Sequence, residues 1–332
     1  MATTDILEPR PCADGAVKVL HQISRPFSDG SIIDREVSVL EDGTTRKAVR
    51  RSRSYLDAER GNLELVAQRT EVPVPRVYDF YAKGEFEYLV MEKMPGVTLE
   101  SAWPDLSDAE REDVADQVAG LVGELRRLQS PLIDAVLVNR EPLRPGLRNT
   151  LDFTMERIKS HTWCEAVVGY VRRRCEPLRD APNVFTHGDL DWSNVMVQGA
   201  RVCGIIDLES GGFMPPHWEW MAARRMTAHG GGTGWFRLLE ARLRRQQQEA
   251  AGMGEVEAVV EALKRHAAWA LGPDERAANR RERWAEVGAL LGVDVGSAPE
   301  VMYGSCAENP WWLEYKDRGR GLGEAEPGED LC

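Results

Sequence analysis

Apolar and polar positions alternate in twos early in the chain and fall into a helical rhythm later. Glu36-Val37-Ser38-Val39-Leu40 and Thr44-Thr45-Arg46-Lys47-Ala48-Val49 are strand-like runs on either side of Glu41-Asp42-Gly43. Asp-Gly between two such runs predicts a hairpin. Residues 1–20 carry no clear pattern. A helix is expected over Ser54–Gln68, with Leu56, Glu59, Leu63 and Val66 near helical spacing. Val72-Pro73-Val74-Pro75 is extended, because each proline drives the residue before it out of the helical region. Tyr88-Leu89-Val90-Met91 reads as a buried strand, and Pro95-Gly96 breaks the chain straight after it.

Beyond that break the rhythm is mainly helical. Ser107 with Glu110 forms a capping box, followed by a stripe of Val114, Val118, Leu121, Leu125 and Leu128 that Ser130-Pro131 ends. A second helical stretch is expected from Leu151 to Arg174, and helices fill much of 216–292. The change from β-rich to helical material places a lobe boundary near residue 94. Residues 1–94 form one lobe and 95–316 the other. Residues 317–332, rich in Gly, Glu and Arg, read as a disordered tail.

A chain of 332 residues is long enough for two lobes. Its 42 basic and 54 acidic side chains give a net charge of −12, which repels a phosphate backbone and argues against nucleic acid as a partner. Solubility is one use of that charge; a cleft for a cationic substrate is another. The first residues hold no basic segment followed by an apolar core, so a cytoplasmic location is expected. No run of about 18 apolar residues is present, so no membrane partner is expected. The six cysteines are scattered without a C-x-x-C pair, which argues for reduced thiols over zinc or disulfides.

The informative chemistry lies in Phe185-Thr186-His187-Gly188-Asp189-Leu190-Asp191-Trp192-Ser193-Asn194. Val195-Met196-Val197, a polar turn at Gln198–Arg201 and Val202-Cys203-Gly204-Ile205-Ile206 follow, and Asp207 closes the segment. Two short strands around a tight turn form an antiparallel hairpin. Its geometry brings Asn194, just before the first strand, and Asp207, just after the second, to the same open end. Asp189 stands on the adjoining loop. Hard oxygen ligands of this kind suit Mg²⁺, which also binds phosphate oxygens. Phosphoryl transfer needs a metal on the nucleotide phosphates and a carboxylate to orient the nucleophile. The kinase signature H-R-D-L-x-x-x-N followed by D-F-G has the same layout; here Asp207-Leu208-Glu209 replaces D-F-G.

His187-Gly188-Asp189-Leu190, Asn194 and Ile205-Ile206-Asp207 resemble the catalytic core of the aminoglycoside phosphotransferase and choline kinase-like family. Leu89–Gly96 resembles its strand and inter-lobe linker. Glu71–Val77 resembles its I-P-V-P segment, and Pro216-His217-Trp218-Glu219-Trp220 its aromatic segment. The likeness covers roughly residues 40–225. It implies a two-lobed α+β protein-kinase-like fold, with a small antiparallel sheet and one helix in the first lobe and a mainly helical second lobe. It implies an ATP- and Mg²⁺-dependent transfer of the γ-phosphate to a hydroxyl or amine of a small molecule. By the same resemblance Asp189 is the catalytic base, Asn194 and Asp207 hold Mg²⁺, and His187 holds the catalytic loop. Lys47 reaches the phosphates, Glu59 positions Lys47, and Glu92, Lys93 and Met94 meet the adenine through their backbone.

Several points stay open in the residues themselves. Strand alternation puts Lys47 and Val49 on one face and Arg46 and Arg50 outward on the other. Glu64 lies on the same helix as Glu59 and is a second candidate partner for Lys47. Asp191 is placed to bind a basic substrate or to pair with an arginine. Glu209 is placed to approach the metal or to satisfy a backbone donor. The protein-kinase glycine-rich loop is absent, since Gly30 and Gly43 are the only glycines between residues 16 and 60, which argues against a protein kinase and leaves no element assigned to cover the phosphates. His229-Gly230-Gly231-Gly232 has no G-x-S-x-G to serve and reads as a turn. The tryptophans of the helical half, Trp218, Trp220, Trp235, Trp269 and Trp284, read mainly as core. The acceptor has no motif, and fold alone does not exclude a kinase-like scaffold with lost or altered chemistry.

Overall fold

The computed structural model describes residues 16–26, 32–51, 54–135, 137–138, 141–142, 146–158, 165–228, 234–247, 252–265 and 285–292. The expected tail at 317–332, the glycine run at 229–233, and Trp269 and Trp284 lie outside the described residues.

The first lobe is a five-stranded antiparallel sheet built from β1 (Ala16–Pro26), β2 (Ile32–Leu40), β3 (Thr45–Arg50), β4 (Val77–Lys83) and β5 (Phe86–Met91). Their spatial order is β1-β2-β3-β5-β4. The predicted hairpin is β2–β3, with Lys47 opposite Val37. Gly43 turns it in the left-handed region, and Asp42 Oδ1 accepts from Thr44 N at 2.9 Å, the local side-chain bond that makes Asp a turn residue. Strand β1 falls partly on residues that showed no pattern. It is an edge strand, and Val19 and Leu20 on it are exposed, so no burial forces apolar alternation there.

Helix α1 (Leu56–Arg69) packs on this sheet through Leu56, Leu63 and Val66, which are fully buried. Burial of each such side chain contributes roughly 1.5–3 kcal/mol. Asn62 on α1 donates to the carbonyls of Leu208 and Gly211 at 2.9 and 3.0 Å, so the helix is tied to the loop after Asp207 as well as to its own sheet.

The chain leaves β5 through Pro95-Gly96 and adds a short strand β6 (Val97–Thr98) to the hairpin of the second lobe. Gly96 is required there. It sits at φ +86°, and a Cβ would stand 2.1 Å from the carbonyl oxygen of Val197. After α2 (Leu99–Ala102), Ser107 caps α3 (Asp108–Leu125) with Glu110 in the predicted capping box. Helix α3 stops at Leu125, short of Ser130. Leu128 belongs to the turn beyond, and Gln129–Ser130 forms β7. The four-stranded order β7-β11-β14-β8 joins it to β8 (Asp134–Ala135), β11 (Asn183–Thr186) and β14 (Gly212–Met214). Strands β9 (Leu137–Val138) and β10 (Glu141–Pro142) pair with each other.

The stretch expected as one helix from Leu151 to Arg174 is two, α4 (Thr150–Ile158) and α5 (Glu165–Cys175). Strands β12 (Val195–Gln198) and β13 (Arg201–Ile205) form the catalytic-segment hairpin, and α6 (Trp218–Ala228), α7 (Gly234–Gln246) and α8 (Met253–Arg265) follow. The main core runs from α1 and β5 through α3 and the hairpin to α6 and α7, with Trp218, Trp220 and Trp235 inside it. A second core joins α4, α5 and α8. Arg157 on α4 and Glu257 on α8 are paired at its edge, one of their two bonds at 2.9 Å.

Candidate active site

Strand β3 is paired on both sides, so a lysine at its centre has nowhere to go but the cleft or the back of the sheet. Lys47 is 3% exposed and turns to the cleft. Its Nζ donates to Glu59 Oε2 and to Asp207 Oδ1, each at 2.7 Å, and lies 3.4 Å from Glu209 Oε2. Burial pushes the Lys47 ammonium down, but the carboxylates of Asp207, Glu59 and Glu209 outweigh it and hold the group above the ordinary lysine value. Asp207 is likewise pushed up by burial, and Lys47 outweighs that to hold the carboxyl below its ordinary value. The oxygens of Glu59, Asp207 and Glu209 all lie within 4.8 Å of one another; the cation among them is the ammonium of Lys47.

Glu59 is thus the helix carboxylate beside Lys47. Glu64 is turned away and pairs with Arg60 at 3.1 Å. Arg46 does face the back of the sheet but does not reach water. It is 2% exposed, with its guanidinium 5.4 Å from the Tyr88 ring centre, because Tyr81 and Tyr88 stack on that face at 4.9 Å and a planar cation packs well on an aromatic ring. Arg50 is half-buried, lying 5.3 Å from the centre of the Phe86 ring and paired with Glu85.

The hairpin geometry follows its register. Val195 pairs with Ile205, and Ile206 N donates to Asn194 O at 3.0 Å, so Asn194 and Asp207 flank one open end. Asn194 Nδ2 donates to Asp189 O at 2.9 Å, which leaves its Oδ1 as the side-chain atom able to ligate a cation. Asp207 sits at φ +65°, the one non-glycine residue with positive φ among those described. Such a conformation costs of order 1–3 kcal/mol and persists where surrounding contacts impose it. An amide oxygen and a carboxylate at one hairpin end are a donor set that fits Mg²⁺.

The loop carrying Asp189 is held from several sides. His187 is fully buried. Its Nδ1 accepts from Asp189 N at 3.3 Å, which places the ring proton on Nε2, the atom 2.9 Å from Ile206 O. The imidazole therefore joins the Asp189 loop to the strand leading into Asp207. Gly188 stands at φ +78°, where a Cβ would lie 2.6 Å from Ser210 O. Glu219, at the start of α6, is 1% exposed and accepts from His187 N at 2.6 Å and Gly188 N at 3.2 Å. Burial pushes its carboxyl above the ordinary value, partly offset by His187. Trp235 Nε1 on α7 donates to Leu190 O at 3.2 Å. Asp191 Oδ1 accepts from Ser193 N and Oγ and caps the turn over Trp192–Asn194, and it pairs with no arginine among the described residues.

Of the two placements open to Glu209, the structure sets it beside Asp207 and Glu59, with both its oxygens accepting from Arg35 at 3.0 and 2.6 Å. In the 92–94 segment the amide of Glu92 is already bonded to Arg76 O at 2.8 Å, so Glu92 can offer an adenine only its carbonyl. Arg35 and Asn62 carry no sequence signal, Trp235 read as core without its bond to Leu190, and Glu219 read only as part of an aromatic segment. Each acts across a long separation, and no local pattern marks its partner.

The model of the phosphotransferase enzyme family matches residues 25–263. The chain belongs to that family. Among solved structures, the ADP-bound aminoglycoside phosphotransferase APH(2'')-Ib is similar with a TM-score of 0.50 and 14% identity, over 83% of this chain and 93% of that one. That likeness shows the fold. Weaker matches include the streptomycin–ATP–APH(2")-IIa ternary complex, with a TM-score of 0.47, 14% identity and coverage of 84% and 93%. Macrolide 2'-phosphotransferase MphH from Brachybacterium faecium matches with a TM-score of 0.42, 14% identity and coverage of 81% and 91%. No curated protein matches the chain. Among the described residues no helix is long and apolar enough to cross a membrane.

Proposed function

We propose that this protein is a small-molecule kinase that uses ATP and Mg²⁺ and transfers the γ-phosphate to an acceptor hydroxyl. The observation that carries this reading is the convergence of Lys47, Glu59 and Asp207 in the cleft, with Asn194 at the same hairpin end as Asp207. Family membership supports it, as does ADP in the APH(2'')-Ib structure of the same fold. Residues 1–94 act as the nucleotide lobe and residues 95–316 as the catalytic and acceptor lobe.

Lys47 binds the nucleotide phosphates, and Glu59 keeps its ammonium in place when Asp207 turns to a metal. The carbonyl of Glu92 and the backbone of Lys93 and Met94 meet the adenine. Asn194 Oδ1 and Asp207 would hold the metal, which would supply positive charge to offset the charge that develops on the phosphates. Asp189 accepts a hydrogen bond from the acceptor hydroxyl and orients it for in-line attack. His187 and Glu219 fix the loop that carries Asp189 and do not touch the substrate.

Calorimetric titration of ATP, with and without Mg²⁺, into the wild type and an Asp207→Asn variant tests the site. ATP binds the wild type, Mg²⁺ strengthens it, and the variant loses that gain. A wild-type protein that binds no ATP in either condition refutes the proposal.

A further inference from the structure

The missing glycine-rich loop leaves a question of physical chemistry. A triphosphate carries several negative charges into a cleft that already holds Glu59, Asp207 and Glu209, and Lys47 alone does not balance them. Backbone amides of a glycine-rich loop are one way to supply donors. The sequence lacks that glycine-rich pattern, and among the described residues the cleft face of the small lobe offers side-chain donors.

Strand register identifies one. Val37 is opposite Lys47, and Arg35 is opposite Val49. Side chains two apart on a strand share a face, so Arg35, Val37, Lys47 and Val49 all point to the cleft. Burial along β2 agrees, with Glu36 and Ser38 buried on the other face and residues 35 and 37 half-buried. Arg35 lies near the start of β2, three residues from Ile32. Its guanidinium reaches across to the loop after Asp207 and grips both oxygens of Glu209 at 3.0 and 2.6 Å. Glu209 Oε2 is also 3.4 Å from Lys47 Nζ. The two cations are therefore presented side by side over Asp207, held by one carboxylate. A planar guanidinium donating two parallel bonds to a carboxylate is in the geometry that also fits two phosphate oxygens.

We propose that Arg35 is a second phosphate-binding cation of the nucleotide site, doing for this protein what a glycine-rich loop does elsewhere, and that Glu209 holds it in position until the nucleotide arrives. This rests on the proposed kinase function. On binding, the phosphate oxygens replace Glu209 as the partner of the fork, while Glu59 retains Lys47.

ATP and adenosine are titrated into the wild type and into Arg35→Ala, Arg35→Lys and Lys47→Ala, with thermal melts as a folding control. Arg35→Ala is expected to weaken ATP by about 10- to 100-fold, the range for a lost charge-assisted pair, and to leave adenosine unchanged. Arg35→Lys keeps the charge without the fork and falls between; should Arg35→Ala fail to fold, Arg35→Lys carries the test with the same ATP-selective loss. Equal weakening of ATP and adenosine would mean that the Arg35–Glu209 pair only braces the lobes, and would overturn the inference. So would unchanged ATP binding in both Arg35 variants. If Lys47→Ala loses ATP while the Arg35 variants do not, the kinase reading stands and the role of Arg35 falls. If the wild type binds no ATP, both fall together.

Discussion

Replacing Glu219 isolates the contact that joins α6 to the Asp189 loop. Its carboxylate takes the amides of His187 and Gly188, one of them at 2.6 Å, in a site where His187 is fully buried. Glu219→Ala removes both acceptors at once. A buried donor left unpaired costs about 1–3 kcal/mol, so two cost about 2–6 kcal/mol. Relief from no longer burying a carboxylate offsets part of this, leaving a net loss of about 3 kcal/mol. Glu219→Gln keeps one acceptor oxygen at nearly the same place and sheds the charge; its loss is expected below about 1 kcal/mol. With a slope of about 3 kcal/mol per molar urea for a chain of this size, the Ala midpoint falls about 1 M below wild type and the Gln midpoint stays close to it. The pH trend has a definite sign. Burial raises the Glu219 carboxyl in the fold, so the stability it contributes is greatest below the unfolded value near 4.5 and declines as pH rises through the folded value. The small loss on Glu219→Gln therefore shrinks toward neutral pH. Equal urea midpoints for the wild type and Glu219→Ala would refute the assignment of Glu219 as the support of this loop.

His217 offers a second pH test, of opposite sign. Its ring is fully buried, and neither nitrogen has a partner among the described residues. Burial pushes the imidazole down to about 4. The neutral ring therefore contributes fully above about 6.5, and that contribution is lost as pH falls toward 4, by about 3 kcal/mol in all. Urea melts at pH 7.5 and 4.5 should show a smaller acid loss for His217→Leu than for wild type; parallel losses would contradict the reading. Glu257→Ala leaves the buried Arg157 guanidinium with the longer Glu261 pair at 3.7 Å, so the loss should lie toward the lower end of about 3–5 kcal/mol. An isosteric pair of apolar residues at both positions should recover most of it. Denaturant midpoints of the single and double variants check this, and a Glu257→Ala midpoint equal to wild type would show that the pair carries no net weight.

Much of the fold was legible because its signals are local. Asp42-Gly43 marks the hairpin through the φ that glycine tolerates, Ser107 and Glu110 mark a helix start through one reciprocal pair of bonds, and Pro95-Gly96 marks the crossing between lobes. The hairpin after Asn194 was equally readable, since antiparallel pairing around a polar turn brings Asn194 and Asp207 to one end even though the register shifts by one residue between Met196 and Val197. By spacing, Glu59 and Glu64 were both open as partners of Lys47. Which one meets it depends on the rotation of α1 against the sheet, set by Leu56, Leu63 and Val66 packing into a core the sequence does not display. The same limit applies to Arg46, outward by alternation yet buried beneath Tyr88. It applies most to Arg35 with Glu209 and to Glu219 with the His187 and Gly188 amides. A short-range pattern records what one segment prefers. A bond between residues 174 positions apart exists only after the lobes have folded against each other, and only the tertiary structure decides it.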